Sequence, residues 1–346
     1  MNVLILSWRN FALIALAGLV AGCSSPTLRS SMPGAPESNA TYRRFFVPRV
    51  AQPQRGRSWM SPAAKANNLL YVANESGTVP IFTWPGLKPV GVLTGFEEPS
   101  ALCIDNAQDV FVVDYVAKEI YEYAHGGTAP IQILADPSGF PNACAVDRVT
   151  GNLAVTNEYG LSGFSTPGDL EVYPKASGTP AEYSDPNIWA YWWPAYDNRG
   201  NLFFNGYNSS FTTLYTDKIR KGRDSIKHIT LNQTIGFPGG LLWDGQYLLC
   251  EDATVNVIYQ FAISGTRGTM VGSTNLGGAS TVIQIWVTGR NRANPLGTTV
   301  VGADVGADAV EVWPYPAGAS SPSKTLTETE GIAAPLGVAV SLKRSR

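Results

Sequence analysis

The residues of this chain best suited to chemistry are oxygen-bearing side chains that recur where short apolar runs end. They are Asn74, Glu75, Asp114, Asn157, Glu158, Asn205, Glu251, Asp252 and Asp304. Carboxylate and amide oxygens are the ligands that a hard divalent cation such as Ca²⁺ prefers. Asn and Asp are also favoured in turns, where their side chains bind backbone groups. The pattern therefore leaves two interpretations open, a polar binding site and a set of turn caps.

The binding-site interpretation predicts one shared site. Its residues are Asp114, Asn157, Glu251, Asp252 and Asp304, with Trp192 at the rim. Carboxylates held close together disfavour joint ionisation unless they are paired, hydrated or bound to a cation. The sequence establishes no cofactor, but Ca²⁺ or another divalent cation suits this set. Trp192 belongs to an aromatic run whose rings either stack on a flat ligand or fill space in the core.

A repeated hairpin must position these residues. Residues 99–115 contain an apolar run, the polar pair Asp105-Asn106 and a second apolar run that ends at Asp114. This pattern predicts two short strands around a polar turn. The phrase returns at 141–157, 194–205 and, more loosely, 238–252. Six such units follow one another at a spacing of about 40–50 residues, which is typical of propeller blades.

The predicted fold is an all-β, six-bladed β-propeller with four-stranded antiparallel blades. In five units the apolar run before the polar turn supplies the innermost strand, but the first unit lacks one. Residues 335–341 match the missing strand, which predicts that the C-terminus closes the ring; residues 58–61 are the competing candidate. Closure removes an exposed strand edge. The ends of the second strands are then expected to gather at one mouth of the central channel.

The repeated phrase resembles the NHL-repeat and lactonase-like six-bladed propellers. The shared features are P-x-x-x-x-x-D, a short turn, a strand that ends in Asn or Asp, and a Gly-Thr/Ser-x-Pro turn. They extend over roughly residues 65–342. Lactonase-like propellers hold a divalent cation with a similar Glu, Asn and Asp set. Their motifs do not match this chain residue by residue, so the resemblance implies the fold and assigns no individual ligand.

Histidine and cysteine chemistry is not expected at the channel. The chain has two histidines, His125 in a turn of the second blade and His228 on an outermost strand, which disfavours a catalytic triad or a histidine-bound zinc ion. Alternation places Cys103 and Cys144 on opposite faces of their blades, so they either meet between blades or point apart. Neighbouring blades usually stand further apart than a disulfide spans. The two cysteines are therefore expected to be small buried apolar residues.

The N-terminal residues predict a lipid anchor. Residues 1–22 have the short apolar run of a signal peptide, and the segment L-V-A-G-C resembles the bacterial lipobox, with Cys23 as the acylated residue. An ordinary secretory signal is the alternative. Residues 23–60 form a predicted flexible basic linker, and residues 61–346 form a single propeller domain with a formal charge of −8. The acidic domain disfavours nucleic acid as a partner.

These features predict a lipid-anchored protein of the bacterial cell envelope, at the outer membrane or cell surface. Its predicted partners are the lipid bilayer, through the acyl anchor, and an unknown small molecule or envelope protein. The favoured function is a binding or scaffolding module at the channel mouth. The alternative is a lactonase-like hydrolase that depends on a divalent metal. Three mouth carboxylates or amides converging on one point would favour the hydrolase, whereas carboxylates dispersed in turns would favour the binding module.

Overall fold

The fold was determined as a computed structural model that describes residues 56–289 and 297–343. Its strands, numbered in chain order, form six blades within these residues. Blade one contains β1 (Trp59–Met60), β2 (Asn68–Asn74), β3 (Thr78–Trp84), β4 (Pro89–Thr94) and β26 (Pro335–Ser341). Blade two contains β5 (Pro99–Ile104), β6 (Val110–Asp114), β7 (Glu119–Tyr123) and β8 (Pro130–Ala135), and blade three contains β9 (Gly139–Val146), β10 (Leu153–Gly160), β11 (Leu170–Tyr173) and β12 (Ala181–Tyr183).

The other three blades follow the same plan. Blade four contains β13 (Ala190–Tyr196), β14 (Leu202–Tyr207), β15 (Leu214–Ile219) and β16 (Ile226–His228). Blade five contains β17 (Thr230–Leu231), β18 (Pro238–Trp243), β19 (Leu248–Asp252), β20 (Val257–Ser264) and β21 (Arg267–Asn275). Blade six contains β22 (Val282–Thr288), β23 (Thr299–Asp304), β24 (Ala309–Pro314) and β25 (Lys324–Leu326). Short 3₁₀ turns at Ala64–Ala66, Gly163–Ser165, Pro174–Ala176 and Glu328–Glu330 are the helical elements of the described residues.

The innermost strands close a ring, as the sequence predicts. β26 pairs antiparallel with β2, from Leu69↔Ser341 to Asn74↔Pro335. On its two sides β26 contacts β22 of blade six and β5 of blade two, and the remaining inner strands contact one another in order. The C-terminal strand therefore completes blade one. The competing segment lies elsewhere, because Trp59 pairs with Val92 at the outer edge of the same blade.

The inner and second strands are buried on both faces. Every residue of β5 and β6 is buried, and both strands are mainly apolar, with Ser100 and Asp114 as their polar residues. A blade inside a ring is covered by a neighbour on each face, so its inner strands do not alternate between apolar and polar residues. Burial ends at the outer strands, where Ile131 and Ile133 of β8 are 57% and 49% exposed. The core is therefore concentrated around the channel.

A disulfide joins Cys103 to Cys144, with their Cα atoms 5.8 Å apart. The expectation that these residues are unbonded small apolar side chains was wrong. They lie on β5 and β9, the inner strands of neighbouring blades. Blades fan outward from the channel, so their separation is smallest at these strands, and the wider spacing typical of whole blades does not apply there. Cys250 is a buried free cysteine.

The predicted signal peptide, Cys23 and all but the last five residues of the predicted linker lie outside the described residues. Trp59 and Met60, at the end of that linker, form β1. No helix in the described part of the chain is long and apolar enough to cross a membrane.

Candidate functional site

The central channel has two different ends. At the mouth end, loops enter the inner strands and the second strands finish; the predicted site residues belong to this end. At the cavity end, tight turns join each inner strand to the second strand.

Three predicted aspartates hold the loops of the mouth end in place. Each accepts three backbone N–H bonds from its own blade and is at most 4% exposed. Asp114 accepts from Glu97, Glu98 and Ala117 at 2.8–3.2 Å; Asp252 from Gly236, Phe237 and Thr254 at 2.8–3.2 Å; and Asp304 from Ser280, Thr281 and Ala307 at 2.6–3.1 Å. In blade one, Asn74 Oδ1 accepts from Ala333 N at 3.1 Å. We call Asn74, Asp114, Asp252 and Asp304 the latch residues, because each ties the end of a second strand to the loop that enters the inner strand.

Blade three divides the same task between two side chains. Asp136 accepts from the backbone N–H groups of Ser138 and Gly139 at 3.1 and 3.0 Å. Asn157 Nδ2 in turn donates to Asp136 Oδ1 at 3.2 Å and to Asp169 Oδ1 at 2.8 Å. Asn157 therefore holds the side chains of Asp136 and Asp169 together and supports the loop indirectly, through Asp136.

Trp192, the predicted rim residue, is buried. It is 6% exposed and packs edge-on against Phe237 of blade five, with ring centres 5.1 Å apart. Its backbone carbonyl accepts from Asn142 Nδ2 and Thr156 Oγ1 of blade three, at 2.9 and 2.7 Å. These contacts place it between blades, where it fills space.

Glu251 differs from the latch residues. It is fully buried, and neither carboxyl oxygen has a hydrogen-bond partner among the described residues. Its carboxyl group fills the space beside Gly239, where a methyl group would overlap Oε2. Burial raises the pKa of Glu251 well above its ordinary value, and the charges of Asp252 and Asp304 raise it further. Of the predicted set, this carboxyl group alone makes no described hydrogen bond.

A second pair of carboxyl groups lies where blades two and three meet at the mouth end. The Tyr115 hydroxyl donates to Glu158 Oε2 at 2.9 Å. Burial raises the pKa of Glu158 to about 7, against the opposing effect of the hydrogen bond from Tyr115. Burial also raises the pKa of Glu98 to about 8, with further contributions from the charges of Glu75, Asp114 and Glu158. We call Glu98, Tyr115 and Glu158 the acidic mouth.

Sequence reasoning included Glu158 among the strand ends but missed Glu98. Glu98 stands before an inner strand rather than after a second strand, so the repeated pattern did not select it. The available signal was the pair Glu97-Glu98 immediately before Pro99. Two acids at the entry to a buried strand place at least one carboxyl group near the channel.

Aromatic rings flank the acidic mouth. Tyr115 contacts Phe140, with ring centres 5.2 Å apart, and the Lys118 ammonium lies 4.2 Å from the centre of the Phe140 ring. Tyr159, beside Glu158, contacts Phe164 at 5.1 Å, and Phe164 stacks on Phe211 at 5.7 Å. Carboxylates beside aromatic faces suit groups that are positively charged or rich in hydrogen-bond donors.

No three carboxylates of the described mouth end lie close enough together to bind one ion. Among residues 56–289 and 297–343, the carboxylates that could share one ion are Asp105, Asp109 and Glu122 of blade two. Asp105 and Asp109 bracket the turn between β5 and β6, so this triad lies toward the cavity end. Burial raises the pKa of Glu122 to about 7, and the charges of Asp109 and Asp105 add to the shift.

The two histidines occupy the predicted elements. His125 lies in the turn between β7 and β8, buried, with Nδ1 2.6 Å from Ser341 Oγ and Nε2 3.0 Å from the Asn67 carbonyl oxygen. His228 ends β16, and its Nδ1 lies 3.0 Å from Asp217 Oδ1. His125 therefore helps to hold the closing strand β26, and neither histidine belongs to the acidic mouth.

The cavity end contains a cavity of about 670 Å³ that the sequence did not predict. Its aromatic lining residues are Trp84, Trp193, Tyr196, Trp243 and Trp286. Gln284, which also lines it, binds two other inner strands: Oε1 accepts from the N–H groups of Leu102 and Val338 at 3.2 and 2.9 Å, and Nε2 donates to the Leu102 carbonyl at 2.9 Å. The disulfide cysteines form part of the same wall.

No protein-family model matches the sequence, and a search of curated proteins gives no match. Among solved structures, a chain in the crystal structure of a nidogen/laminin complex is similar, with a TM-score of 0.61 and 14% sequence identity. The match covers 80% of this chain and 99% of that chain. At this identity the likeness supports the fold alone.

Proposed function

We propose that this protein is a lipid-anchored β-propeller of the bacterial cell envelope that binds a small polar ligand or a protein partner at the mouth end. The observation that carries the proposal is the acidic mouth, where the Tyr115 hydroxyl donates to Glu158 and burial raises the pKa values of both Glu98 and Glu158. A glutamate with a pKa near 8 is largely protonated at neutral pH. A ligand that brings positive charge or strong hydrogen-bond donors stabilises the ionised form and displaces the proton.

The ligand class follows from this chemistry. Ca²⁺ or another divalent cation is one source of positive charge, and an ammonium or guanidinium group of a small molecule or partner protein is another. The flanking rings of Phe164 and Phe211 favour the organic cation, since aromatic faces attract cations, whereas Phe140 already contacts the Lys118 ammonium. Glu251, buried without a described hydrogen bond, is a further carboxylate that a divalent cation would stabilise.

The envelope location rests on the N-terminal prediction. The lipobox-like segment assigns acylation to Cys23, and the basic linker suits anionic lipid headgroups. The disulfide between Cys103 and Cys144 supports this location, because disulfides persist in oxidising compartments. Replacing Cys23 with alanine should abolish labelling by a palmitate analogue and release the chain from membranes. Continued labelling and membrane fractionation of the Cys23→Ala chain would overturn the anchor.

Calorimetric titration of the full chain tests the mouth. Arginine and CaCl₂ serve as probes, each titrated at several pH values between about 6 and 9. We expect affinity to rise with pH and protons to be released on binding, because the bound cation favours ionised Glu98 and Glu158. The Glu98→Gln/Glu158→Gln double variant should lose binding, whereas Glu97→Gln, at an exposed neighbour, should not. Saturable binding that is unchanged in the double variant would place the site elsewhere.

The second candidate is the lactonase-like hydrolase, which is favoured by the pKa of Glu98 alone. A carboxyl group with a pKa near neutrality is suited to general acid–base catalysis. Against it, no three carboxylates of the described mouth end lie close enough to share one ion, and Asn157 meets Asp136 and Asp169 through its amide nitrogen, a donor that does not bind a cation. Hydrolysis of simple lactones should therefore not exceed the buffer rate with or without CaCl₂. A rate that Glu98→Gln abolishes would instead establish the enzyme.

A further inference from the structure

The cavity end holds a second site that the mouth-end function does not use. Its volume of about 670 Å³ lies within the range of small-molecule pockets, roughly 300–1,000 Å³. Four tryptophans and one tyrosine contribute to its wall. Such rings offer flat apolar faces on which a planar ligand can stack.

The charged residues that line the cavity indicate the charge of the ligand that it would bind. Arg148 and Lys324 line the cavity, and Asp197 is the only carboxylate among its described lining residues. Asp197 is already bound within its own turn, where it accepts from the N–H groups of Arg199 and Asn201 at 2.8 and 2.9 Å and from Asn201 Nδ2 at 2.7 Å. A positively charged lining is unexpected in a propeller with a formal charge of −8.

The two basic side chains differ in how much of their hydrogen-bonding capacity is already used. Lys324 Nζ donates to the Pro85 carbonyl at 2.6 Å, so part of its hydrogen-bonding capacity is used. The Arg148 side chain makes no hydrogen bond or ion pair with any described residue, although its backbone carbonyl accepts from Asn106 Nδ2 at 2.6 Å. Arg148 therefore presents five N–H donors at the rim. A carboxylate matches that planar donor array.

We propose that the cavity binds a planar, ring-bearing organic anion, with its rings between the tryptophans and its carboxylate on Arg148. The fit is one of shape, apolar surface and charge together. Gln284 bounds the site on the channel side, because its side chain is hydrogen-bonded to β5 and β26. The site is distinct from the acidic mouth in residues and in ligand charge.

Three probes with the same bicyclic ring test the charge preference: 2-naphthoate, the neutral 2-naphthamide and the cationic 2-naphthylmethylammonium. Calorimetry with the full chain should give the tightest binding for the naphthoate, by about tenfold over the ammonium. This comparison is demanding, because aromatic walls alone would favour the cation. Added salt should reduce the preference. Equal affinities, or tighter binding of the ammonium, would overturn the proposal.

Variants then locate the site. Arg148→Gln should weaken naphthoate binding roughly five- to tenfold and leave naphthamide unchanged, whereas Arg223→Gln, at an exposed arginine outside the cavity, should change neither. Ala145→Trp should fill part of the cavity and weaken all three probes, with thermal unfolding as the check that it folds. If Ala145→Trp does not fold, the two arginine variants still decide the outcome. Equal effects of Arg148→Gln and Arg223→Gln would refute the assignment.

A final comparison separates the two ends. The Glu98→Gln/Glu158→Gln double variant should bind naphthoate as the unmodified chain does, because its changes lie at the mouth end. Loss of naphthoate binding in that variant would show that the naphthoate occupies the mouth and would overturn the cavity assignment. Failure of arginine and Ca²⁺ to bind the mouth would leave the naphthoate result intact.

Discussion

The two ends of the channel are built from the same inner strands but carry opposite chemistry. The mouth end contains carboxyl groups whose pKa values are raised by burial, and the cavity end contains tryptophan rings and two basic groups. The repeat explains the difference. Residues that recur across blades serve the fold, as the latch residues of four blades do, whereas Glu98 and Arg148 are residue types that the equivalent positions of the other blades do not repeat. Candidate binding residues in a repeat protein are therefore best sought where the repeat is broken.

The largest expected effect comes from removing the strand that both ends share. Deleting residues 335–346 removes β26, whose Val338, Ala339 and Val340 are at most 3% exposed. Burial of each large apolar side chain contributes about 1.5–3 kcal/mol, and the deletion also exposes the edge of β2. The loss is comparable with the whole stability of a domain. The truncated chain should be insoluble or should lack a cooperative thermal transition, and a transition near that of the full chain would contradict ring closure by β26.

The next effect concerns the mouth end and separates a latch from a ligand. Asp304→Ala leaves three backbone N–H groups without their acceptor, at a cost of about 3–5 kcal/mol in the free energy of unfolding. Glu182→Ala, at an exposed position on β12, should cost less than about 0.5 kcal/mol. Chemical denaturation measures both. An Asp304→Ala chain of unchanged stability that has lost cation binding would restore Asp304 to the binding site.

The sequence predicted the architecture because propeller strands are short apolar runs separated by polar turns at a regular interval. It also predicted the closing strand, since one blade lacked a strand and the end of the chain supplied it. The repeat could not indicate which of the carboxylates near the ends of second strands belong to a binding site. Asp114 ends β6 and Glu251 is the penultimate residue of β19, and only the loop amides that bind Asp114 distinguish a latch from a carboxyl group without a described hydrogen bond.

The features missed at the cavity end depend on distances between blades. Cys103 and Cys144 are 41 residues apart, and strand alternation allowed them either to meet or to diverge. The cavity is likewise formed by residues from all six blades, including Trp84, Trp193 and Trp286. Nothing local in the sequence records that these rings share one space. Such sites become visible only when the ring is closed.

The disulfide supplies a test of the cavity end. In the chain-entropy account, a crosslink across 41 residues contributes roughly 3–4 kcal/mol. Reductant should lower the melting temperature of the unmodified chain and leave that of Cys103→Ser/Cys144→Ser unchanged. Cys250→Ala, which alters the free buried cysteine, should retain the response to reductant. No response in the unmodified chain would mean that the bond is absent or does not stabilise the fold.

The smallest expected effect is the contribution of Glu98 to the pH dependence of stability. The pKa of Glu98 is about 8 in the folded chain, against an ordinary value of 4.5, so between these values the folded state binds more protons than the unfolded state. The stability that Glu98 contributes is complete below pH 4.5 and is lost as the pH rises toward 8. Glu98→Gln should remove this contribution to the pH dependence of the free energy of unfolding. Between about pH 5 and pH 9, the free energy of unfolding of Glu98→Gln should therefore rise by roughly 1–2 kcal/mol relative to that of the unmodified chain, after allowance for partial exposure.

Glu97→Gln is the matched control, because Glu97 is the exposed neighbour of Glu98. Thermal unfolding across this pH range should give parallel curves for Glu97→Gln and the unmodified chain and a flatter curve for Glu98→Gln. Curves that are parallel for all three chains would mean that Glu98 ionises freely in the folded state. The acidic mouth would then lack the proton that an incoming cation is proposed to displace. The two ends of the channel would still differ in shape and in the charge of their lining residues, but not in the protonation of a carboxyl group.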